Sequence, residues 1–144
     1  MDVRTILAHK GDRVETIRPD APLLHAARLL RAHGVGALVV TADGQHIDGL
    51  LSERDVVVAF AEHPEVLEHR KVSEAMRRDA VTARPSDSLG QVMGEMTRRR
   101  QRQVPVVDGG VLVGIVSVGD ILNHQLDDAT LEARVLRDVA IARS

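Results

Sequence analysis

Two segments, Ser52-Glu53-Arg54-Asp55 and Ser117-Val118-Gly119-Asp120, place a hydroxyl and a carboxylate three residues apart. Each follows a short apolar run (Gly49-Leu50-Leu51, Gly114-Ile115-Val116) and opens a helical pattern, so both side chains belong to the first turn of a helix at a strand end. Unpaired N–H groups and the positive dipole pole favour an anion there, and a serine hydroxyl can donate to a phosphate oxygen. A carboxylate one turn further on accepts two hydrogen bonds at once, which suits a vicinal diol. The same spacing also fits a capping box, in which both side chains satisfy the helix's own backbone. Spacing alone leaves both readings open.

Other chemistry is thin. Arg98-Arg99-Arg100-Gln101-Arg102 is the one strong charge cluster. Arg98 to Arg100 read as a solvated helix end, where cations complement the negative dipole pole, whereas Arg102 fits that role and phosphate binding equally. The seven histidines form no His-x-x-x-His pair and no metal site is expected. There is no Gly-x-Ser-x-Gly elbow and no phosphate loop, and Gly109-Gly110 reads as a hairpin turn. The absence of cysteine removes disulfides, thiolate nucleophiles and cysteine-ligated metals. A net charge of −2 argues against nucleic acid, and one aromatic residue, Phe60, excludes a base-stacking platform. No apolar run approaches the ~20 residues that cross a bilayer. Met1-Asp2-Val3-Arg4 lacks the layout of a secretory signal, so a cytoplasmic protein with no membrane partner is expected. With 144 residues, 44% hydrophobic and 28% charged, the chain suits one domain or two small ones sharing a core.

The elements that position the two Ser-x-x-Asp segments repeat. Thr16-Ile17-Arg18-Pro19 recurs 66 residues on as Thr82-Ala83-Arg84-Pro85. The same offset carries Leu23, Ala26, Ala27 and Leu30 onto Leu89, Val92, Met93 and Met96, two apolar stripes at helical spacing. Each copy reads as strand, helix, strand, strand, helix. The first predicts a strand over Val14–Ile17, a break and cap at Pro19-Asp20, and a helix to about His33 stopped by Gly34. A hairpin over Ala37–Thr41 and Ile47–Ser52 and a helix over Glu53–Ala61 follow. The second predicts strands at Val81–Ala83, Gln103–Val107 and Val111–Ser117, and helices at Asp87–Arg99 and Val118–Leu126. Asp127 or Asp128 then caps a last helix, Asp128–Arg143, which either folds back or packs on a second copy, the latter being preferred. Each unit alone buries too little surface, so two should pack sheet to sheet about a pseudo-twofold axis, with symmetric clefts between them.

This layout resembles a tandem pair of CBS domains, the regulatory module named after cystathionine β-synthase. The resemblance rests on the Thr-x-x-Pro starts, Gly34-Val35-Gly36-Ala37-Leu38-Val39-Val40, Arg102-Gln103-Val104-Pro105-Val106-Val107-Asp108 and the two Gly-h-h-Ser-x-x-Asp segments. It implies an α/β (α+β) fold of two β-α-β-β-α repeats at 3–62 and 73–126, a connection at 63–72 and a C-terminal helix at 127–144. It further implies a ligand containing adenosine (AMP, ADP, ATP, NAD or S-adenosylmethionine) and a disc-like homodimer. Asp55 and Asp120 would take the ribose, and Ser52 and Ser117 would sit by the phosphate, with Arg54 and Arg102 as further phosphate contacts. Gly36, Ala37 and Gln103, with the backbone near Val14 and Val81, would form the cleft and hold the base. Gly119 stands where the first copy has Arg54. CBS repeats also occur inside IMP dehydrogenases, but the barrel and catalytic cysteine of that chemistry are missing here. The expectation is therefore a non-catalytic sensor that needs no cofactor and acts on an unidentified regulated protein. The alternative is a ligand-independent interaction scaffold.

Overall fold

The computed structural model describes residues 1–66 and 68–143; Leu67, in the expected connection, and Ser144, at the expected end of the last helix, lie outside the described residues. The first repeat holds β1 (Thr16–Ile17), α2 (Leu23–His33), β2 (Ala37–Val40), β3 (Gly49–Ser52) and α3 (Glu53–Glu62), preceded by a helix α1 (Val3–Lys10). The second holds α5 (Leu89–Arg99), β4 (Gln103–Asp108), β5 (Val111–Ser117) and α6 (Val118–Arg143), preceded by a short α4 (Val72–Ala75). β1 runs parallel to β2, which pairs antiparallel with β3, and β4 pairs antiparallel with β5.

The short extended runs form strands because both faces are buried: all four residues of β2 are inaccessible. α2 begins at Leu23 rather than at Asp20. Its first N–H group is satisfied from outside, with Leu23 N donating to the Arg70 carbonyl at 2.8 Å. Gly34 closes that helix in the left-handed region at φ 63°. α5 likewise begins at Leu89, two residues later than Asp87, where Ser88 and Gln91 form a capping box.

The helices that precede each repeat are exchanged. α1 packs through Val3 and Ile6 into the core of the second repeat, with Val92, Met96, Val104 and Ile121. α4 packs through Val72 into the core of the first, with Leu23, Leu38 and Leu51. The backbone bonds match pairwise: Val3 N to the Asp87 carbonyl and Val72 N to that of Ala21, both at 2.9 Å. A third apolar cluster joins the two sheets, with Ala37, Val39 and Leu50 against Leu112 and Ile115. This is the sheet-to-sheet packing about a pseudo-twofold axis that the repeat pattern predicts.

Two expectations about elements are corrected. The strand expected at Val81–Ala83 is reduced to one parallel bridge, Ala83 to Val106. The helices expected at Val118–Leu126 and Asp128–Arg143 are one continuous helix, with Asp127 and Asp128 in its interior and not at a cap. Nothing between Asp120 and Arg143 is a glycine or proline, so no residue there forces a stop. Its outer half does not fold back, since Leu131, Val135, Leu136 and Val139 are all exposed.

Two equivalent glycines let the exchanged segments approach the sheets. A Cβ on Gly114 would lie 2.7 Å from Leu7 Cδ2, and one on Gly49 would lie 2.8 Å from the Arg77 carbonyl oxygen. Leu7 can rotate away. The Arg77 peptide cannot, because it exchanges two hydrogen bonds with Leu50 at 2.9 and 3.0 Å. Gly49→Ala is therefore expected to cost about 1–3 kcal/mol in urea unfolding, and Gly114→Ala less. Equal costs would contradict this account.

Candidate functional site

Between the repeats lies a cavity of about 600 Å³, with Gly36, Ser52, Arg54 and Asp55 on one side and Met93, Met96, Arg100, Arg102 and Gln103 on the other. Arg77, just beyond α4, lines it as well. β3 delivers Ser52 to its wall, and the first turn of α3 adds Asp55 three residues on. Ser52 is extended, with φ −100° and ψ 164°, and its hydroxyl accepts from Asp55 N at 3.2 Å. In return, Asp55 Oδ2 accepts from Ser52 N at 2.8 Å and from Ser52 Oγ at 2.9 Å. This is a capping box, and it occupies one carboxylate oxygen only. Oδ1 accepts no hydrogen bond among the described residues, so capping and ligand binding are compatible at Asp55.

The equivalent corner of the second repeat is built alike but carries a cation of its own chain. Ser117 and Asp120 make the same reciprocal bonds, at 2.9 and 3.0 Å. Here Lys10, at the end of α1, donates to Asp120 Oδ2 at 2.7 Å and to the Ile115 carbonyl at 3.0 Å. Burial pushes the Asp120 carboxyl up, but the Lys10 hydrogen bond, the Ser117 N–H and the lysine charge together outweigh it and hold it below the ordinary value. The two corners are thus alike in backbone and unlike in side chains.

Of the eleven residues expected at the site, six come together at the cavity: Gly36, Ser52, Arg54, Asp55, Arg102 and Gln103. Gly36 faces the Gln103 side chain so closely that a Cβ on it would collide with Gln103 Nε2. Ala37 is buried in the seam and Val14 packs beside it. Val81 lies against the second repeat's core, gripped by Gln101, and Ser117 and Asp120 lie apart from the cavity, at the corner that Lys10 reaches. Arg77, which no motif singles out, lines the cavity, and so does Arg100, which corrects its reading with Arg98 and Arg99 as only a solvated helix end. Arg100 carries the signal that could have found it: it falls 66 residues after Gly34 and adopts the same left-handed helix end, at φ 51°. Arg98 and Arg99 are tied to Glu95 and Asp79, as a helix end would have them.

The CBS domain model matches residues 4–62 and 72–127, and the chain belongs to the CBS-domain family. A CBS-domain containing protein from Agrobacterium tumefaciens shares 37% identity and superposes with a TM-score of 0.83, over 87% of this chain and 99% of that one. CBS domain-containing protein YhcV of Bacillus subtilis is 32% identical over 81% of each chain. The CBS domain pair of protein MJ0100, solved with 5′-methylthioadenosine and S-adenosylmethionine, shares 26% identity and a TM-score of 0.74, over 85% of this chain and 98% of that one. The chain spans 42% of a longer relative from Thermofilum pendens. Among the described residues no helix is long and apolar enough to cross a membrane, and no cluster of three or more His, Asp or Glu could hold a metal ion.

Proposed function

We propose that the chain is a non-catalytic sensor that binds an adenosine-containing nucleotide in the cavity between its repeats. The observation that carries this is the cavity itself, which sets the Ser52–Asp55 corner of one repeat against Arg102 and Gln103 of the other. A ligand seated there touches both repeats, so it stabilises one relative placement of them over others, which any regulatory ligand must do. Asp55 holds the ribose hydroxyls, the start of α3 with Ser52 and Arg54 faces the phosphate, and the base lies toward Gly36 and Gln103. AMP, ADP, ATP and NAD all meet this description. The adenosine compounds bound by the MJ0100 pair support the class. The readout passes through a second copy of the chain: Val57 and Leu122, equivalent positions on α3 and α6, are both exposed apolar residues.

Calorimetry with AMP, ATP and NAD tests this, using Asp55→Ala and Asp120→Ala. Asp55→Ala is expected to weaken binding about tenfold or more, the value of one charge-assisted hydrogen bond, and Asp120→Ala to leave it nearly unchanged. A thermal melt of each variant controls for the lost helix cap, worth about 1 kcal/mol. Absence of heat with all three nucleotides overturns the reading. Partner capture indifferent to nucleotide would then favour a scaffold working through α3 and α6, a role that two occupied capping boxes also permit.

A further inference from the structure

Resting on that reading, we infer that the ligand is a nucleoside di- or triphosphate, bound once per chain, whose phosphate chain runs out of the cavity between Arg54, Arg77 and Arg100. The cavity does not end at Asp55. A second hollow of about 390 Å³ adjoins it and shares Arg54, Asp55, Arg77 and Arg100 with it, adding Arg70 and Arg99 further out. A chain of net charge −2 thus concentrates six arginines along one path. The outer two are compensated, Arg70 by Glu74 at 3.7 Å and Arg99 by Asp79 at 3.2 Å. Arg54 and Arg100, at the join of the two hollows, have no ion pair and no side-chain hydrogen bond among the described residues. Unpaired guanidinium groups facing one cleft are suited to clamp successive phosphates in bidentate fashion.

The internal repeat supplies the comparison. Arg54, Arg100 and Arg102 occupy positions whose counterparts in the other repeat are Gly119, Gly34 and Gly36. The charge therefore belongs to this seam and not to the fold. Arg100 is also the one non-glycine residue with positive φ among the described residues, where an L side chain is disfavoured and Gly34 shows what the backbone prefers. A guanidinium held there against the local conformational preference, at the mouth of the cleft, indicates that the cation is wanted. A nucleoside with an uncharged tail makes no use of this path, and one with a cationic tail, such as a sulfonium, is repelled by it. At the other corner Lys10 is bonded to Asp120 Oδ2 and leaves Oδ1 as open as at Asp55, but glycines stand where this path has Arg54, Arg100 and Arg102, so the phosphate path exists once per chain.

The test is calorimetry of the full chain with adenosine, AMP, ADP, ATP, S-adenosylmethionine and inorganic tripolyphosphate at one ionic strength, repeated with Arg100→Gly. That variant relieves the backbone and so keeps the fold. Affinity is expected to rise about tenfold or more from AMP to ATP at one site per chain, and Arg100→Gly to bring the two within about threefold. If AMP, adenosine or S-adenosylmethionine binds as tightly as ATP, or if two ATP molecules bind, the inference is overturned while nucleoside binding in the cleft stands. Tripolyphosphate binding as tightly as ATP would overturn the nucleoside part. No binding of any adenosine compound would remove the parent reading.

Discussion

Ile6→Ala is expected to cost about 2–5 kcal/mol and to loosen the second repeat before the first, although Ile6 precedes the first repeat in sequence. Ile6 is 3% exposed and sits beside Val3, Val92, Met96, Val104 and Ile121, all buried. Truncation removes three carbons from a packed site and leaves a cavity that its neighbours close only in part. None of the lost contacts belongs to the three-stranded sheet, whose core is completed by Val72 of α4. Urea unfolding gives the magnitude. Amide exchange gives the location, with faster opening expected in α5, β4 and β5 than in β2 and β3. Leu23→Ala, in the first core, should reverse that order. Acceleration by Ile6→Ala confined to the first sheet would show that α1 serves the repeat it precedes.

That exchange could not be read from the chain. Val3, Ile6 and Leu7 have helical spacing, but eight residues make barely two turns, and such a helix is stable only on the surface it packs against. Periodicity states which face is apolar and not which core receives it. The α2 and α5 helices were legible because eleven residues with a full stripe, and a Gly34 stop in one of them, leave few alternatives. α6 was misdivided for the opposite reason, since Asp127-Asp128 resembles a cap but sits equally well on a solvated helix face. At the cavity, Ser52 and Asp55 were legible because one helical turn fixes their relation locally. Arg77 and Arg100 reach the same cavity through tertiary approach. Arg100 moreover stands where local rules ask for glycine, and a broken local rule is the mark of a residue held in place for something other than the fold.

Gln101→Leu is expected to cost about 2–4 kcal/mol, although it nearly keeps the volume and puts an apolar side chain in a buried place. Gln101 is 4% exposed, one of two buried polar residues among the described residues. Its Oε1 accepts from Val81 N at 2.9 Å, while Nε2 donates to the carbonyls of Val81 and Gln103, both at 2.9 Å. In effect the side-chain amide replaces a peptide of a neighbouring strand. The first repeat has a backbone ladder at this place, with Val39 N donating to the Glu15 carbonyl, and carries Val35 at the position equivalent to Gln101. The second repeat pairs its incoming segment only at Ala83, so the amide supplies what the missing strand does not. Leucine would leave one N–H and two carbonyls without that partner, each costing about 1–3 kcal/mol when buried, and less at half-buried Val81 because water can reach it. Gln101→Glu separates shape from hydrogen bonding: it keeps the acceptor toward Val81 N and turns both donations into repulsion between oxygens, so it should be no more stable than leucine. Because the Gln103 carbonyl is one of the three groups held, both variants should also weaken nucleotide binding through the position of Gln103. Urea unfolding and calorimetry on the same samples check this, and wild-type stability in Gln101→Leu would mean that solvent satisfies the segment without the amide.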